Sequence, residues 1–288
     1  MMRRAEARIE GMSGMKRLIG AVVVIALVAA AAWWWWKPSN DGRVPVYGVT
    51  VAATYPHDPA AFTEGLFFQD GSLYESTGEV GESGFRQTDL ASGRVLRSYD
   101  LPSPYFGEGI VPWKDRLYQL TWKDQKGFIY GLKDFASIGD FSYTGEGWGA
   151  THNDRAIIMS DGSSTLRFLD PESLQTLSTL KVTAGGCPVA KLNELEWVDG
   201  QIYANIWQTN LIARIDPKTG VVTSFLDISS LGPKPRGLDD VANGIAYDAP
   251  RKRLFVTGKR WPQLYQVSAS ETHVASDEAN ALSACGKS

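Results

Sequence analysis

Two carboxylates, two amides, a lysine and three tryptophans stand at two fixed offsets along this 288-residue chain. Together they could move a proton and steady a charge inside an aromatic pocket. Glu64, Glu108, Trp148 and Asn193 each precede an apolar strand start by nine residues, at Leu73-Tyr74, Leu117-Tyr118, Ile157-Ile158 and Ile202-Tyr203. Asn243 stands in nearly the same relation to Leu254-Phe255, stretched by an insert over 248–253. A second row, five residues after each strand start, reads Gly78, Trp122, Gly162, Trp207 and Lys259. Packing alone would tend to repeat one residue type, although an acid before glycine can be a turn former and a repeated Trp a packing residue. Here the equivalent positions diversify, as the lining of a concave site with a few convergent polar groups does.

The chemistry open to such a set is limited. His57, His152 and His273 share neither a ligand spacing nor a nucleophile partner, which argues against a zinc site or a Ser-His-Asp triad. No Cys-x-x-Cys, phosphate loop or dinucleotide glycine pattern occurs. What remains is a carboxylate that shuttles a proton, with Lys and Asn stabilising charge. That equipment suits a reaction whose substrate brings its own nucleophile.

The elements that must position these residues follow from the repeat. The strand starts recur with a period in the forties, and in the low fifties over the last step, which is a repeat architecture. The first unit reads as four short strands, Gly65–Phe68, Ser72–Thr77, Gly84–Leu90 and Arg94–Leu101, the last preceded by the turn Asp89–Gly93. That turn recurs at Asp170–Leu174 and Asp216–Gly220. Four antiparallel strands per unit make a propeller blade; a β-sandwich would lack the four-strand supra-repeat. The fifth unit has three strands only, at 244–247, 253–258 and 263–267, and would leave an exposed edge. Val46–Ala53 is a spare strand after Pro45. The expectation is therefore an all-β, five-bladed β-propeller over residues 46–270, closed by its N-terminal strand.

Outside the repeats, residues 18–36 carry no charge and span roughly 28 Å as a helix. Arg3, Arg4, Arg8, Lys16 and Arg17 precede this run, and Trp33–Trp36 end it, so residues 1–36 read as a hydrophobic helix, either an uncleaved signal anchor or a cleaved signal peptide. Either places the propeller in the periplasm or elsewhere outside the cytoplasm, tethered to the inner membrane or released. Residues 37–45 read as a linker and 271–288 as a polar, disordered tail. The tail would have to fold back for Cys285 to reach Cys187, so no disulfide is expected. A net charge of −3 argues against nucleic acid as a partner, and with no sign of oligomerisation the expectation is a monomer.

Several motifs together resemble a known family. Phe62-Thr-Glu-Gly-Leu66, Phe106-Gly-Glu-Gly-Ile110, Leu120-Thr-Trp-Lys123, Glu146-Gly-Trp-Gly149, Leu192–Trp197, Asn205–Thr209 and Val256–Pro262 look like those of the plant and bacterial glutaminyl-peptide cyclotransferases. These are five-bladed propellers, and the match runs from about Tyr55 to Val267. The resemblance implies an enzyme that cyclises N-terminal glutamine of peptides or proteins to pyroglutamate with release of ammonia. By similarity Glu108 is the proton shuttle, Asn193 and Lys259 bind substrate and stabilise the oxyanion, and Phe62, Glu64, Trp122, Trp148 and Trp207 line the substrate pocket. No cofactor is implied for the chemistry, while a structural calcium ion elsewhere in the channel is compatible with the family.

One position departs from the pattern: the family often has Gln where this chain has Glu64. An ionised Glu64 cannot donate to an oxyanion, whereas a protonated one can. A second carboxylate facing Glu108 would raise one of the two pKa values, or Glu64 could bind the substrate's ammonium. Two rival functions fit parts of the sequence. A non-catalytic binding propeller would bind without turnover, and a calcium-dependent propeller lactonase would recruit Glu64, Asn193 and Asn243 as ligands.

Overall fold

The computed structural model describes residues 43–234 and 237–285. Residues Gly42–Ser288 form one compact unit, to which everything below refers. The hydrophobic segment 1–36 and most of the 37–45 linker lie outside the described residues. Among the described residues no helix is long and apolar enough to cross a membrane.

The fold is all-β and propeller-like. After β1 (Val46–Pro56) come three four-stranded antiparallel sheets. They are β2 (Thr63–Gln69), β3 (Ser72–Thr77), β4 (Gly84–Asp89) and β5 (Val95–Asp100); β6 (Gly107–Trp113), β7 (Arg116–Thr121), β8 (Lys126–Gly131) and β9 (Ser137–Ser142); and β10 (Ala150–His152), β11 (Ile157–Met159), β12 (Thr165–Leu169) and β13 (Thr176–Lys181). A two-stranded hairpin, β14 (Thr183–Ala184) and β15 (Cys187–Pro188), leads into the last part of the chain.

There the structure differs from five separate sheets. Strands β16 (Leu192–Val198), β17 (Gln201–Ile206), β18 (Leu211–Ile215), β19 (Val222–Asp227), β20 (Ala242–Asp248), β21 (Arg253–Gly258) and β22 (Gln263–His273) join β1 in one eight-stranded sheet, ordered β16-β17-β18-β19-β1-β22-β21-β20. β1 pairs antiparallel with β22, as its spare-strand reading requires. It also runs longer than Val46–Ala53, and Val46–Gly48 pair in parallel with Phe225–Asp227 of β19. A strand laid along β22 still presents a second row of backbone donors and acceptors, and β19 satisfies part of it.

Burial falls from the centre outward. The first five residues of β2 and every residue of β20 are buried, whereas β9 and β13 are largely exposed. β2, β6, β10, β16 and β20 contact one another in turn around a closed ring. Buried on both faces, these strands lose the apolar/polar alternation of a half-exposed strand. Glycines permit the close approach: a Cβ on Gly109 would meet Ala150 N at 2.7 Å, and one on Gly65 would meet Ile110 N at 2.6 Å. The turns preceding β5, β13 and β19 form as expected, with Asp89, Asp170 and Asp216 accepting from Ser92, Ser173 and Lys218 backbone N–H groups.

A buried ionic knot fastens the end of β1 to the ring. His57 Nδ1 lies 2.6 Å from the Trp261 carbonyl oxygen and Nε2 lies 2.8 Å from Glu75 Oε1. Both partners are acceptors, so both ring nitrogens donate and the imidazole is held as the cation. Burial alone would lower the His57 pKa, but the Glu75 charge and hydrogen bond outweigh it and the net shift is upward. Glu75 also accepts from Thr63 and Arg86 and is held down at about 2, against the upward push of burial. A raised histidine pKa contributes stability that is complete below its unfolded value of about 6.5 and is lost as pH rises through the folded pKa. His57→Ala should therefore cost about 3–5 kcal/mol near pH 6, as breaking a buried pair does, and less at alkaline pH. Urea melts of both proteins at pH 6 and pH 9 would show this; a pH-independent difference would refute it.

The C-terminal segment also differs from expectation. β22 continues to His273, and a short helix, α1 (Asp277–Leu282), is capped by Ser276, whose side chain accepts from Ala279 N. Ala279 is buried in the core with Val46 and Phe225. This docking folds the tail back, so that Cys285 and Cys187 form a disulfide with Cα atoms 5.3 Å apart. The sequence shows a polar stretch; its anchoring rests on the small buried Ala279, on Leu282 packed against the same core, on the Ser276 cap and on Glu278 accepting from Asn210 N.

Candidate active site

The first row of candidate residues lies where the innermost strands begin, and at four of them the ladder slips. Register shifts fall between Thr63 and Gly65, Gly107 and Ile110, Leu192 and Leu195, and Ala242 and Ile245. These are β-bulges, which bend a strand and re-aim a side chain. Glu64, Glu108, Asn193 and Asn243 occupy them. Trp148 sits just ahead of β10, its carbonyl accepting from Gly109 N at 2.7 Å.

One cavity of about 390 Å³ gathers the predicted residues. Phe62, Glu64, Glu108, Trp122, Trp148, Asn193, Trp207 and Lys259 all line it. Asn243 lies behind that lining: its Nδ2 donates to Thr63 O at 2.9 Å and to Glu64 Oε2 at 3.2 Å. Lys259 Nζ donates to Glu64 Oε1 at 2.7 Å and stands 4.4 Å from the centre of the Phe62 ring. Glu64 and Glu108 hydrogen-bond to each other. Asn193 is buried, its Oδ1 has no partner, and no hydrogen bond engages its Nδ2 among the described residues, so its amide N–H can donate to a ligand.

The electrostatics of this floor follow from burial and like charge. Burial lifts the Glu64 carboxyl, the Lys259 ammonium pulls it back, and it settles at about 6. Burial and then the Glu64 charge push Glu108 well above the usual carboxylate range, with Lys259 offsetting only part. Of the two, Glu108 therefore holds its proton the more strongly and Glu64 is the one that ionises more readily. The pair can both give and take a proton next to a fixed ammonium.

The walls are aromatic and braced. Trp122 and Trp148 both donate their indole N–H to Glu146 Oε2, each at 2.8 Å. The Trp148 and Trp207 rings meet edge to face at 5.8 Å, and Phe106 packs on Trp122 at 5.6 Å. The two glycines of the second row now have a reason: a Cβ on Gly78 would lie 2.4 Å from the Phe106 ring, and one on Gly162 would lie 2.6 Å from Trp148. Gly78 leaves room for a ring of the next unit, and Gly162 for the Trp148 ring of its own.

Sequence reasoning passed over Phe106 and Glu146 as site residues, although both stand two residues before a first-row position, as Phe62 does. It had no signal for Glu79, Gln208, Leu238 and Asp239, which complete the rim from loops without period.

Among the described residues no three His, Cys, Asp or Glu side chains converge as a metal-binding group. The channel carboxylates are held in place by backbone donors. Glu194 accepts from Leu66 N and Ile245 N at 3.2 and 2.8 Å, and Glu196 accepts from Tyr247 N at 2.8 Å. Burial pushes both carboxyls up, Glu196 to about 8. Of the ligands a lactonase reading would recruit, Glu64 is paired with an ammonium and Asn243 is turned to donate.

Comparisons with known proteins show the family. A family model described as glutamine cyclotransferase matches residues 22–269. A glutaminyl-peptide cyclotransferase of Arabidopsis thaliana is 39% identical over 235 residues, 79% of this chain and 73% of that protein. The crystal structure of Myxococcus xanthus glutaminyl cyclase superposes with a TM-score of 0.75 at 34% identity, covering 81% of this chain and 100% of the other.

Proposed function

The chain belongs to the glutamine cyclotransferase family, and on that premise we propose how its pocket converts N-terminal glutamine of peptides or proteins to pyroglutamate with release of ammonia. The observation that carries the reading is the buried Glu108–Glu64–Lys259 group beside the unpartnered amide of Asn193, at the floor of an aromatic cavity. The substrate's α-amine attacks the Cδ of its own side-chain amide. The new C–N bond closes the ring, the carbonyl oxygen takes the negative charge, and Lys259 and Asn193 stabilise it. Glu108, in its ionised form, takes a proton from the attacking nitrogen and returns it to the departing one, which leaves as ammonia. Because the reaction is intramolecular, much of the rate comes from holding the glutamine folded. Phe62, Trp122, Trp148 and Trp207 do that, and they keep water from competing for the amide. The steps need no metal or organic cofactor.

The test is incubation of the protein from Arg43 onward with a Gln-initiated peptide. Loss of one ammonia by mass, insensitive to chelator, is expected; an unchanged peptide at high protein concentration would overturn the reading. Binding without turnover would instead point to a non-catalytic propeller.

Glu64 is a brake in this scheme. It neutralises the ammonium meant for the oxyanion and holds the proton on Glu108. With Gln at this position Lys259 takes Glu108 as its counter-charge, which lowers the Glu108 pKa. Glu64→Gln should raise kcat/KM severalfold near neutral pH and move the acid limb of its pH profile downward. An unmoved acid limb would mean that Glu64 does not set the Glu108 proton.

The eight-stranded sheet is read as two blades sharing β1, giving five in all, because five inner strands contact in a ring and each heads a four-stranded group. A site outside the cytoplasm, such as the periplasm, is supported by the apolar segment 18–36 and by the Cys187–Cys285 disulfide, a bond that persists in oxidising compartments. On this reading the partners are Gln-initiated chains, with the membrane touched only through the N-terminal segment, and the working form is a monomer.

A further inference from the structure

The cyclisation places both reacting groups of the glutamine at the pocket floor, so the rest of the peptide must leave across the rim. Four rim positions lie on that route: Glu79, Gln208, Leu238 and Asp239. Two of them are already engaged. Glu79 shares Arg260 with Asp240, at 2.8 and 2.9 Å, and Gln208 Oε1 accepts from Lys191 Nζ at 2.8 Å. Asp239 differs, since it has no hydrogen bond or ion pair among the described residues. Its charge nevertheless reaches the floor, where it works to raise Glu64. Beside it Leu238 is 84% exposed, the most exposed large apolar side chain among the described residues.

We propose that Leu238 and Asp239 form the subsite for the second residue of the substrate and favour a long cationic side chain there, lysine or arginine. This rests on the cyclotransferase reading and names a specificity-determining pair within it. Lysine and arginine lay an apolar stem along a hydrophobic surface and keep the charged head in water. Leu238 supplies the surface and Asp239 the counter-charge. The cations bonded at the rim already have partners, Lys191 on Gln208 and Arg260 on Glu79 and Asp240. An exposed charge pair is weak and screened by salt, so the preference is modest and ionic-strength dependent.

The test compares Gln-Lys-Ala and Gln-Glu-Ala amides. Expected is a roughly two- to fivefold higher kcat/KM for the lysine peptide at low salt, the range of an exposed ion pair. Asp239→Asn should shrink that ratio towards one and Asp239→Lys should invert it. Leu238→Ser should remove any advantage of norleucine over alanine at the same position. Affinities of the two peptides for the Glu108→Gln protein, read from tryptophan fluorescence, give the same ratio without turnover. Failure of the wild type to cyclise either peptide would thus sink the enzymatic reading while the affinity ratio still decides the subsite. Equal values for the two peptides, a preference for glutamate, or a ratio unchanged in Asp239→Asn would overturn the proposal.

Discussion

Glu108→Gln is expected to lower kcat by about 10²–10⁴-fold, the usual contribution of a positioned acid–base group, with KM little changed. The substitution is informative because it should not disturb the fold. Burial and Glu64 push the Glu108 carboxyl towards its neutral form, and a neutral amide of the same shape presents a donor to Glu64 in much the same place. Lys259 keeps its 2.7 Å contact with Glu64. The amide cannot accept the proton of the attacking amine, however, so the loss falls on the chemical step. Some rate should survive, because orientation by the aromatic walls is untouched. Stopped assays of ammonia release with both proteins, alongside their thermal melts, would separate these effects. A Glu108→Gln protein that turns over at the wild-type rate would remove Glu108 from the mechanism.

Removal of residues 46–53 should abolish the cooperative fold. Five of the eight residue pairings of β1 with β22 fall within 46–53, as do all three with β19. At a net ~1 kcal/mol for each backbone hydrogen bond, a ladder of this extent rivals the ~5–15 kcal/mol that stabilises a whole domain. The same cut takes Val46 out of a core that includes Phe225 and Ala279, so the disulfide-bearing tail would lose its bed as well. A melting transition lost or displaced far downward is expected, with recovery when a peptide of residues 43–56 is added in trans, since strand addition restores the ladders. An unchanged transition and full activity after the deletion would refute the closure.

The two expectations draw on different depths of information. The pair of carboxylates is legible in the sequence: Glu64 and Glu108 repeat within similar Phe-x-Glu-Gly motifs, and their offset from the next strand is fixed. The strand that closes the sheet was legible as a missing edge, since the fifth unit is one strand short. By contrast, the fusion of the last two units by β1 and β19 was not, because it depends on where a strand's second edge lies in space. The Cys187–Cys285 disulfide was misread for a similar reason, as the docking of α1 leaves almost no mark in a polar tail. Glu146 shows a subtler limit. Its distance from Trp148 is visible in sequence, but its contact with Trp122, 24 residues away, is not.

By itself, the sequence determined the architecture's period, the family, and seven of the eight side chains that share one pocket, because a repeated backbone forces residues at equal offsets onto equivalent points of a ring; Phe62 came from the family motif. Only the tertiary structure decided their charges. The bulges turn Glu64 and Glu108 toward each other, burial removes the water that would let both ionise, and Lys259 arrives from the opposite end of the chain to hold one of them ionised. Spacing can place two carboxylates at one mouth, but which of them carries the proton depends on distance and desolvation, and those exist only once the ring has closed.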